Sequence, residues 1–399
     1  MMFILLGLFL VIEFLFAWTL KHTFASLQKT KFYKLCLLTS IPLWLSVLSM
    51  VCIQIFIAPI PHYLSYSYMF YVFTFYFILF IPKVFFIIVW LILKCIFLFQ
   101  KHSLSLSRWR WTPVLVSLIM LVLFVWSVFW GRYMLTVNQY DIPVKKLPAV
   151  FSKIKIIQFS DLHIGSYGGN PVFLQKLVDS CNALKPDIIV FTGDIVNQYA
   201  DEIDHLDTVL NRMHASLGKF AVLGNHDFGD YSVWKSPKDK QQNLSDIISQ
   251  LNNMGFKVLR NEHVYVHKGN DSLVVVGVDN WGLKPFKQYG DLHKSIQGID
   301  SNCFAVILSH DPSHWEEQIK KKLHYSLTFS GHTHAFQMGF HAGKCKWSPA
   351  ALRYKHWWGL YAEKNNFLYV SRGVGTIGFL GRLGMTPEMV CVTLNASNE

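Results

Sequence analysis

The stretch KFAVLGNHDFGD at residues 219–230 joins an apolar run to a tight group of polar side chains. The apolar residues are typical of a buried strand, and Gly224, Asn225, His226 and Asp227 follow at its end. A turn accounts for the glycine and the asparagine, because both tolerate a left-handed backbone. A turn alone leaves the succession of amide, imidazole and carboxylate unexplained, and the rest of the chain decides between the two interpretations.

Four other short apolar runs in the C-terminal part of the chain also end in polar side chains. They are KIKIIQFSDLH with Asp161 and His163, DIIVFTGD with Asp194, CFAVILSHDP with His310, and YSLTFSGHTH with His332 and His334. Helical patterns alternate with these runs, as in PVFLQKLVDSCNAL at residues 171–184. The alternation predicts an α/β domain, in which functional groups lie beyond the carboxyl ends of the strands.

The residue types at these strand ends suit transition-metal ions. Imidazole and carboxylate ligands favour Zn, Fe or Mn over an all-oxygen calcium site. Alternating side chains along a strand would place Asp161 and His163 on one side, and His332 and His334 would reach two adjacent ions. Asp194 is a candidate bridge between two ions about 3.5–4 Å apart, a spacing that lets the ions polarise a phosphoryl group and activate a water. We therefore predict two divalent ions, either Mn, Fe or Zn.

The blocks SDLH, TGD, GNHD, SHDP and SGHTH, in this order, resemble the signature of the calcineurin-like metallophosphoesterase superfamily. The resemblance covers about residues 153–395 and includes the later segment LYVSRGVG…GRLGMTPEMVCVTL. It points most closely to the membrane-anchored bacterial branch. The resemblance implies two β-sheets sandwiched between helices, both metals at one edge, and a metal-dependent phosphoric ester hydrolase.

The resemblance also implies a role for each polar residue. One metal is expected at Asp161, His163, Asp194 and His334, and the other at Asp194, Asn225, His310 and His332. His226 is expected to face the substrate as an acid or a charge stabiliser, with Asp227 accepting the other N–H of its ring.

Two features near the last block depart from the pattern or lie outside it. Many relatives continue GHTHGGQ, whereas this chain has Ala335 and Phe336 after His334, which changes the expected shape of the substrate pocket. The stretch KCKWSPAALRYKHWWGLY at residues 344–361 mixes basic and aromatic side chains. Either its aromatic residues pack on the domain, or they form a membrane-facing rim that receives a headgroup.

The N-terminal third of the chain has the composition of a membrane region. Hydrophobic residues make up 52% of the 399 residues and charged residues 16%, and the apolar excess lies before about residue 131. Four spans are predicted at residues 2–20, 35–57, 69–99 and 113–130. Pro82 and Lys83 interrupt the third span, but two halves would be too short to cross, so one kinked helix is predicted. Glu13 marks either a functional polar site or a structural ion pair.

The loops between the spans predict an orientation. Lys and Arg are concentrated in the first and third loops and absent from residues 58–68, which places the first and third loops in the cytoplasm. With four spans the C-terminal domain is then extracytoplasmic. The predicted division is a transmembrane region at 1–131, a linker at 132–152 and the metallophosphoesterase domain at 153–399.

Composition excludes several other classes of function. The net charge is +12, yet no run of Lys and Arg suggests a nucleic-acid surface, so neither a nuclease nor a nucleic-acid partner is expected. The seven cysteines show no CxxC spacing, which argues against a zinc knuckle or a disulfide framework. The main hypothesis is a membrane-anchored phosphoesterase for monoesters or diesters, with a lipid-linked substrate as one possibility. The alternative is a membrane sensor or transport protein whose domain only binds a phosphorylated ligand.

Overall fold

The computed structural model describes residues 2–24, 63–99, 109–300, 303–343 and 345–397, together with scattered positions between 31 and 52. These residues divide into two compact units. The first unit lies within Met1–Ile60 and Tyr68–Phe129 and includes Gly378–Gly381. The second unit contains Trp130–Ile377 and Arg382–Glu399, together with Pro61–Ser67.

The first unit contains the helices α1 (Met2–Thr23) and α3 (Thr112–Phe129), and it contains α2 (Tyr63–Phe99) from Tyr68 onward. Met69–Leu98 and Thr112–Tyr133 are long and apolar enough to cross a membrane, by length and composition. The third predicted segment is one helix that contains Pro82, and it begins at Tyr63, earlier than predicted. The segment 113–130 corresponds to α3. The segment 2–20 is helical, and 35–57 lies largely outside the described residues, so four spans remain a prediction.

Within the first unit, Glu13 forms a buried ion pair. The Lys83 ammonium donates to Glu13 Oε1 at 2.7 Å, and the Ser40 hydroxyl donates to Oε2 at 2.9 Å. The side chains of Lys83 and Glu13 are only 6% and 10% exposed. Each buried charge thus offsets the desolvation cost of the other. This arrangement favours the structural interpretation of Glu13.

The second unit is built on two six-stranded sheets and several short helices. The strands are β1 (Thr136–Val144), β2 (Ile154–Phe159), β3 (Ile188–Phe191), β4 (Gly218–Ala221), β5 (Phe256–Val258), β6 (Glu262–Lys268), β7 (Asp271–Val278), β8 (Ala305–Ser309), β9 (Ser326–Ser330), β10 (Phe340–Ala342), β11 (Cys345–Trp347), β12 (Gly359–Glu363), β13 (Asn366–Val370) and β14 (Glu388–Ala396). The helices are α4 (Val172–Ala183), α5 (Asp207–Leu210), α6 (Pro237–Asn253), α7 (Leu292–Ser295) and α8 (Lys320–Lys322).

Both sheets are mixed. The first has the order β1-β14-β2-β3-β4-β5, in which β2 to β5 run parallel and β14 is antiparallel to β2. The second has the order β12-β13-β9-β8-β7-β6, in which the four central strands are parallel and the two edge strands are antiparallel to their neighbours. The strands β10 and β11 form a separate hairpin.

Buried aliphatic side chains hold the layers of the second unit together. Ile156 and Val190 of the first sheet pack with Val275 and Leu308 of the second, so the sheets bury one face against each other. On the outer face of the first sheet, Ile157 and Phe191 pack against Leu174 and Leu177 of α4 and Ile247 and Leu251 of α6. Trp315 and Ile319 cover the outer face of the second sheet. The predicted α/β domain with two sheets between helices is confirmed.

This topology brings five strand ends together. The parallel strands β2, β3 and β4 end at Phe159, Phe191 and Ala221, and β8 and β9 end at Ser309 and Ser330. Each end is followed within a few residues by one of the predicted polar blocks. Since parallel strands present their carboxyl ends at the same edge, the loops of both sheets meet in one region.

Candidate metal centre

Seven predicted ligand residues come together at these loops. Asp161, His163, Asp194 and His334 form one group and Asp194, His310 and His332 another, and within each group the potential ligand atoms lie within 4.8 Å of one another. Asp194 belongs to both groups. The Asn225 amide oxygen completes the second group, 2.8 Å from His332 Nδ1 and 3.1 Å from His310 Nε2.

In the first group, imidazole nitrogens and carboxylate oxygens point at a common centre. His163 Nε2 and His334 Nε2 are 3.1 Å apart. His334 Nε2 is 3.3 Å from Asp161 Oδ1, and His163 Nε2 is 3.7 Å from Asp194 Oδ2. The distances join atoms that all serve as metal ligands in their unprotonated forms.

In the second group, Asp194 again supplies the carboxylate. Its Oδ2 is 3.2 Å from His310 Nε2, which lies 3.3 Å from His332 Nδ1. Its Oδ1 accepts the backbone N–H of His226 at 2.8 Å. One oxygen of Asp194 therefore faces both groups while the other is held by the main chain, the arrangement expected of a bridging carboxylate.

Several of the candidate ligands have a left-handed backbone conformation, which sets the direction of their side chains. Asp161, His163, Asp194, His332 and His334 have φ values between 40° and 70°. Asp161 and His163 lie after the end of β2, so strand alternation does not pair them, and that predicted reason is wrong. Left-handed residues other than glycine are costly and cluster at functional sites, where the surrounding structure enforces them.

The electrostatics of the two groups fit a cation. Burial alone would raise the pKa of Asp161, but the charge of His334 and its hydrogen bond lower that pKa overall. Burial would lower the pKa of His310, but the Asp194 carboxylate raises it to about 10. In the described part of the chain, the ion pairs of Asp161 and Asp194 all involve histidines. Two buried carboxylates whose ion pairs are all with histidines form a donor set that a divalent cation would neutralise.

His226 and Asp227 have different surroundings. His226 Nδ1 lies 2.8 Å from the carbonyl oxygen of Asn197, and the ring is partly exposed beside His163, with ring centroids 5.0 Å apart. Asp227 is fully buried and accepts the backbone N–H groups of Asp194, Ile195 and Gly224 at 2.8–2.9 Å. The predicted contact between Asp227 and the His226 ring is therefore wrong. Asp227 instead ties the two loops that carry Asp194 and Asn225.

The stretch at 344–361 is divided between core and surface. Trp357 and Trp358 are only 6% and 7% exposed and pack in a cluster with Ala335 and Met385. The interpretation that these two indoles form a rim is wrong, because they pack on the domain. Trp347 and Leu352 of this stretch are exposed, and so are Phe336 and Phe340, which precede it in the chain. Ala335 and Phe336, which follow His334 directly, have left-handed φ values of 47° and 55°.

Gly375 packs against the backbone of the loop that carries Asp161, so its substitution should disturb the metal site. Its N–H donates to the Asp161 carbonyl oxygen at 2.8 Å, and a Cβ there would lie 1.9 Å from the Leu162 carbonyl oxygen. We expect Gly375→Ala to destabilise the protein by about 1–3 kcal/mol, as overpacking does, and to weaken metal binding. Thermal unfolding and metal titration measure the two effects.

Gly269→Ala is the matched contrast for Gly375→Ala. Gly269 has a left-handed φ of 63°, but a Cβ at this position would meet open space, so its substitution carries only a conformational cost. It should lower stability and leave metal binding unchanged. If Gly375→Ala binds metal as tightly as Gly269→Ala does, the proposed link between Gly375 and the Asp161 loop is wrong.

Three residues that contact the site were not predicted from the sequence. Asn197 holds His226 through its main-chain carbonyl, Tyr231 bonds to Asn225, and Tyr354 bonds to His332. Because Asn197 acts through its main-chain carbonyl, the type of its side chain gave no indication of this contact. Tyr231 follows GNHDFGD directly, so its position beside the motif was the available signal, whereas Tyr354 comes from the 344–361 stretch.

Comparisons with known proteins agree with this geometry. Residues 154–336 match the family described as calcineurin-like phosphoesterase. An uncharacterized metallophosphoesterase of Aquifex aeolicus is 32% identical over 67% of this chain and 94% of its own length. A transmembrane protein with metallophosphoesterase domain from Danio rerio is 26% identical over 74% of this chain and 65% of its own length. The UDP-2,3-diacylglucosamine pyrophosphatase LpxG of Chlamydia muridarum is 25% identical over 74% of this chain and 98% of its own length.

Proposed function

The chain belongs to the calcineurin-like phosphoesterase family and is a metal-dependent hydrolase, and we propose that it is a membrane-anchored, two-metal phosphoesterase. It would hydrolyse phosphomonoester or phosphodiester bonds. The observation that carries the proposal is the pair of donor groups that share Asp194. The proposal includes a transmembrane region at 1–131 and a catalytic domain that contains 153–399. The segment 132–152, predicted as a linker, contains β1, which pairs with β14 in the first sheet and so belongs with the catalytic domain.

Each side chain has a role in the proposed reaction. Asp161, His163, Asp194 and His334 would hold one divalent ion, and Asp194, Asn225, His310 and His332 the other. Bound ions of this kind polarise phosphoryl oxygens and lower the pKa of a bound water. His226 would donate a proton to the leaving oxygen or stabilise the developing charge through Nε2. Asp227 would keep the loops of Asp194 and Asn225 in register by accepting backbone N–H groups from both.

A lipid-linked substrate is the substrate class we propose. Support comes from the LpxG relative, which is named as a pyrophosphatase of a diacylated sugar nucleotide. Further support comes from exposed aromatic residues in the segment that follows His334. Phe336 lies two residues after His334 and is 56% exposed, while Phe340 and Trp347 are about half exposed, with ring centroids 6.4 Å apart. An exposed apolar group that follows a predicted metal ligand in the chain suits an amphiphile better than a small soluble ester.

The function is tested with the full-length protein in lipid nanodiscs, stripped of metal and reloaded with Mn, Zn or Fe. We expect hydrolysis of nitrophenyl phosphate or bis-nitrophenyl phosphate only after reloading, with two ions bound per chain. A lipid-embedded pyrophosphate or phosphodiester should be hydrolysed faster, and Trp347→Ala should reduce that rate alone. Absence of hydrolysis with every metal contradicts the proposed activity. Equal effects of Trp347→Ala on soluble and embedded substrates contradict the lipid-linked class.

We further propose that the catalytic domain lies outside the cytoplasm. In spheroplasts, protease should digest a tag fused after Glu399, because four spans with cytoplasmic first and third loops place the C-terminus outside. A tag inserted within residues 101–108, in the third loop, should be protected and serves as the control. A protected C-terminal tag would mean that the segment 69–99 crosses twice or that the segment 2–20 does not cross.

A further inference from the structure

The two groups of candidate ligands differ in the hydrogen bonds that their side chains make on the side away from the metal centre. In the second group, Tyr354 Oη lies 2.9 Å from His332 Nε2, and Asn225 Nδ2 donates to Tyr231 Oη at 2.9 Å. His310 Nδ1 is 2.7 Å from the Thr192 carbonyl oxygen. Each amide or imidazole of this group is thus fixed by a partner on the side away from the centre.

The imidazoles of the first group have no such support among the residues that the structure describes. His163 Nδ1 and His334 Nδ1 are buried and have no hydrogen-bond partner there. A histidine whose outer nitrogen is bonded keeps one tautomer and one ring orientation, and it binds metal more tightly as a result. The two groups are therefore supported unequally.

The two tyrosine hydroxyls act on different properties of their ligands. The hydrogen bond from Asn225 Nδ2 to the Tyr231 hydroxyl turns the amide nitrogen away from the metal centre. The amide oxygen Oδ1 then faces His332 and His310. The Tyr354 hydroxyl lies 2.9 Å from His332 Nε2, and the opposite nitrogen of the ring, Nδ1, faces Asn225 Oδ1 at 2.8 Å. Tyr354 thus holds the ring in this orientation.

The tyrosine rings also border the site. The Tyr231 ring lies 4.7 Å from the His226 ring and is 47% exposed, and the Tyr354 ring meets His332 edge to face at 5.5 Å. Phe286 contacts His332 from another side, with ring centroids 4.7 Å apart, and the Arg353 guanidinium lies over Phe286. Replacement of either tyrosine by phenylalanine keeps these ring contacts and removes only a hydroxyl.

We propose that Tyr231 and Tyr354 are positioning residues that set the affinity of the second metal site, so that the two sites lose their ions independently. The inference rests on the proposed two-metal function. Loss of either hydroxyl should weaken the second ion by about 10–100-fold, the usual cost of removing a hydrogen-bond partner of a metal ligand. The first site should keep its affinity, because neither tyrosine contacts its other ligands. Activity should return when the metal concentration is high enough to fill both sites.

The test titrates metal-free full-length protein with Mn²⁺ and follows bound ions by elemental analysis and electron paramagnetic resonance. Wild type should bind two ions, whereas Tyr231→Phe and Tyr354→Phe should bind one normally and the second about 10–100-fold more weakly. Tyr265→Phe is the control, since Tyr265 is 45% exposed on β6. Its titration should match that of wild type.

The outcomes separate this inference from the proposed function. A wild-type chain that binds fewer than two ions contradicts the two-metal function and the inference with it. Wild type with two ions and tyrosine variants with unchanged titrations overturn the inference alone. Tyrosine variants that stay inactive with both sites filled also overturn it, because the hydroxyls would then act on the substrate rather than on the ligands.

Discussion

Asp194→Asn should abolish phosphoester hydrolysis and release metal from both sites. Asp194 Oδ1 accepts the His226 backbone N–H at 2.8 Å, so in the variant the amide oxygen is retained at this position. The amide NH₂ then takes the place of Oδ2, which lies 3.2 Å from His310 Nε2 and 3.7 Å from His163 Nε2. An NH₂ group cannot bind a cation. The variant thus loses the bridging charge at both groups while the backbone contact survives.

The expected loss of kcat is more than about 10³-fold, beyond the cost of one missing hydrogen-bond donor to a transition state. Metal analysis after gel filtration should find less than one ion per chain. Asp271→Asn is the control, since Asp271 is an exposed carboxylate at the start of β7. An Asp194→Asn protein with two bound ions and near-normal turnover would disprove the bridging role.

The positions of the candidate ligands were predictable because the carboxyl ends of parallel strands share an edge. Five apolar runs each ended in a polar block, and the order of the blocks matched a family pattern. The structure places those runs in β2, β3, β4, β8 and β9, all within the parallel parts of the two sheets. A strand pattern therefore predicts where each loop begins. Because these loops lie at the same edge, their polar side chains come together.

The backbone inside those loops was not predictable. Strand alternation suggested that Asp161 and His163 share a direction, yet both have left-handed φ values beyond the strand end. Tertiary contacts enforce this conformation, such as the bond from the Gly375 N–H to the Asp161 carbonyl. Gly375 lies in a different part of the chain, and a local pattern carries no information about it.

The role of Asp227 was mispredicted for a related reason. Its position next to His226 in the sequence suggested that Asp227 contacts the His226 ring. However, the loops after β3 and β4 contain buried backbone N–H groups, and these require an acceptor. Asp227 satisfies Gly224 in one loop and Asp194 and Ile195 in the other. The 344–361 stretch shows the same limit, because Trp347 on the surface and Trp358 in the core have the same side chain and lie in the same basic and aromatic stretch.

His226→Ala should lower kcat by about 10²–10⁴-fold and leave both metals bound. The substitution keeps the backbone N–H that donates to Asp194 Oδ1, so the carboxylate retains its orientation. His226 Nδ1 lies 2.8 Å from the carbonyl oxygen of Asn197. Because a carbonyl oxygen can only accept a hydrogen bond, Nδ1 carries the hydrogen. Nε2 is then the atom that can meet the substrate. Its loss removes a proton donor or a stabilising charge without removing a metal ligand.

The leaving group distinguishes the role of Nε2. A nitrophenolate leaves without protonation, so His226→Ala should cost little with nitrophenyl esters and the full factor with alkyl esters. His267→Ala is the control, because His267 is an exposed histidine on β6, and it should behave as wild type with both esters. An equal loss with both esters would assign His226 to charge stabilisation instead of proton donation. Loss of bound metal in His226→Ala would make His226 a ligand and contradict both roles.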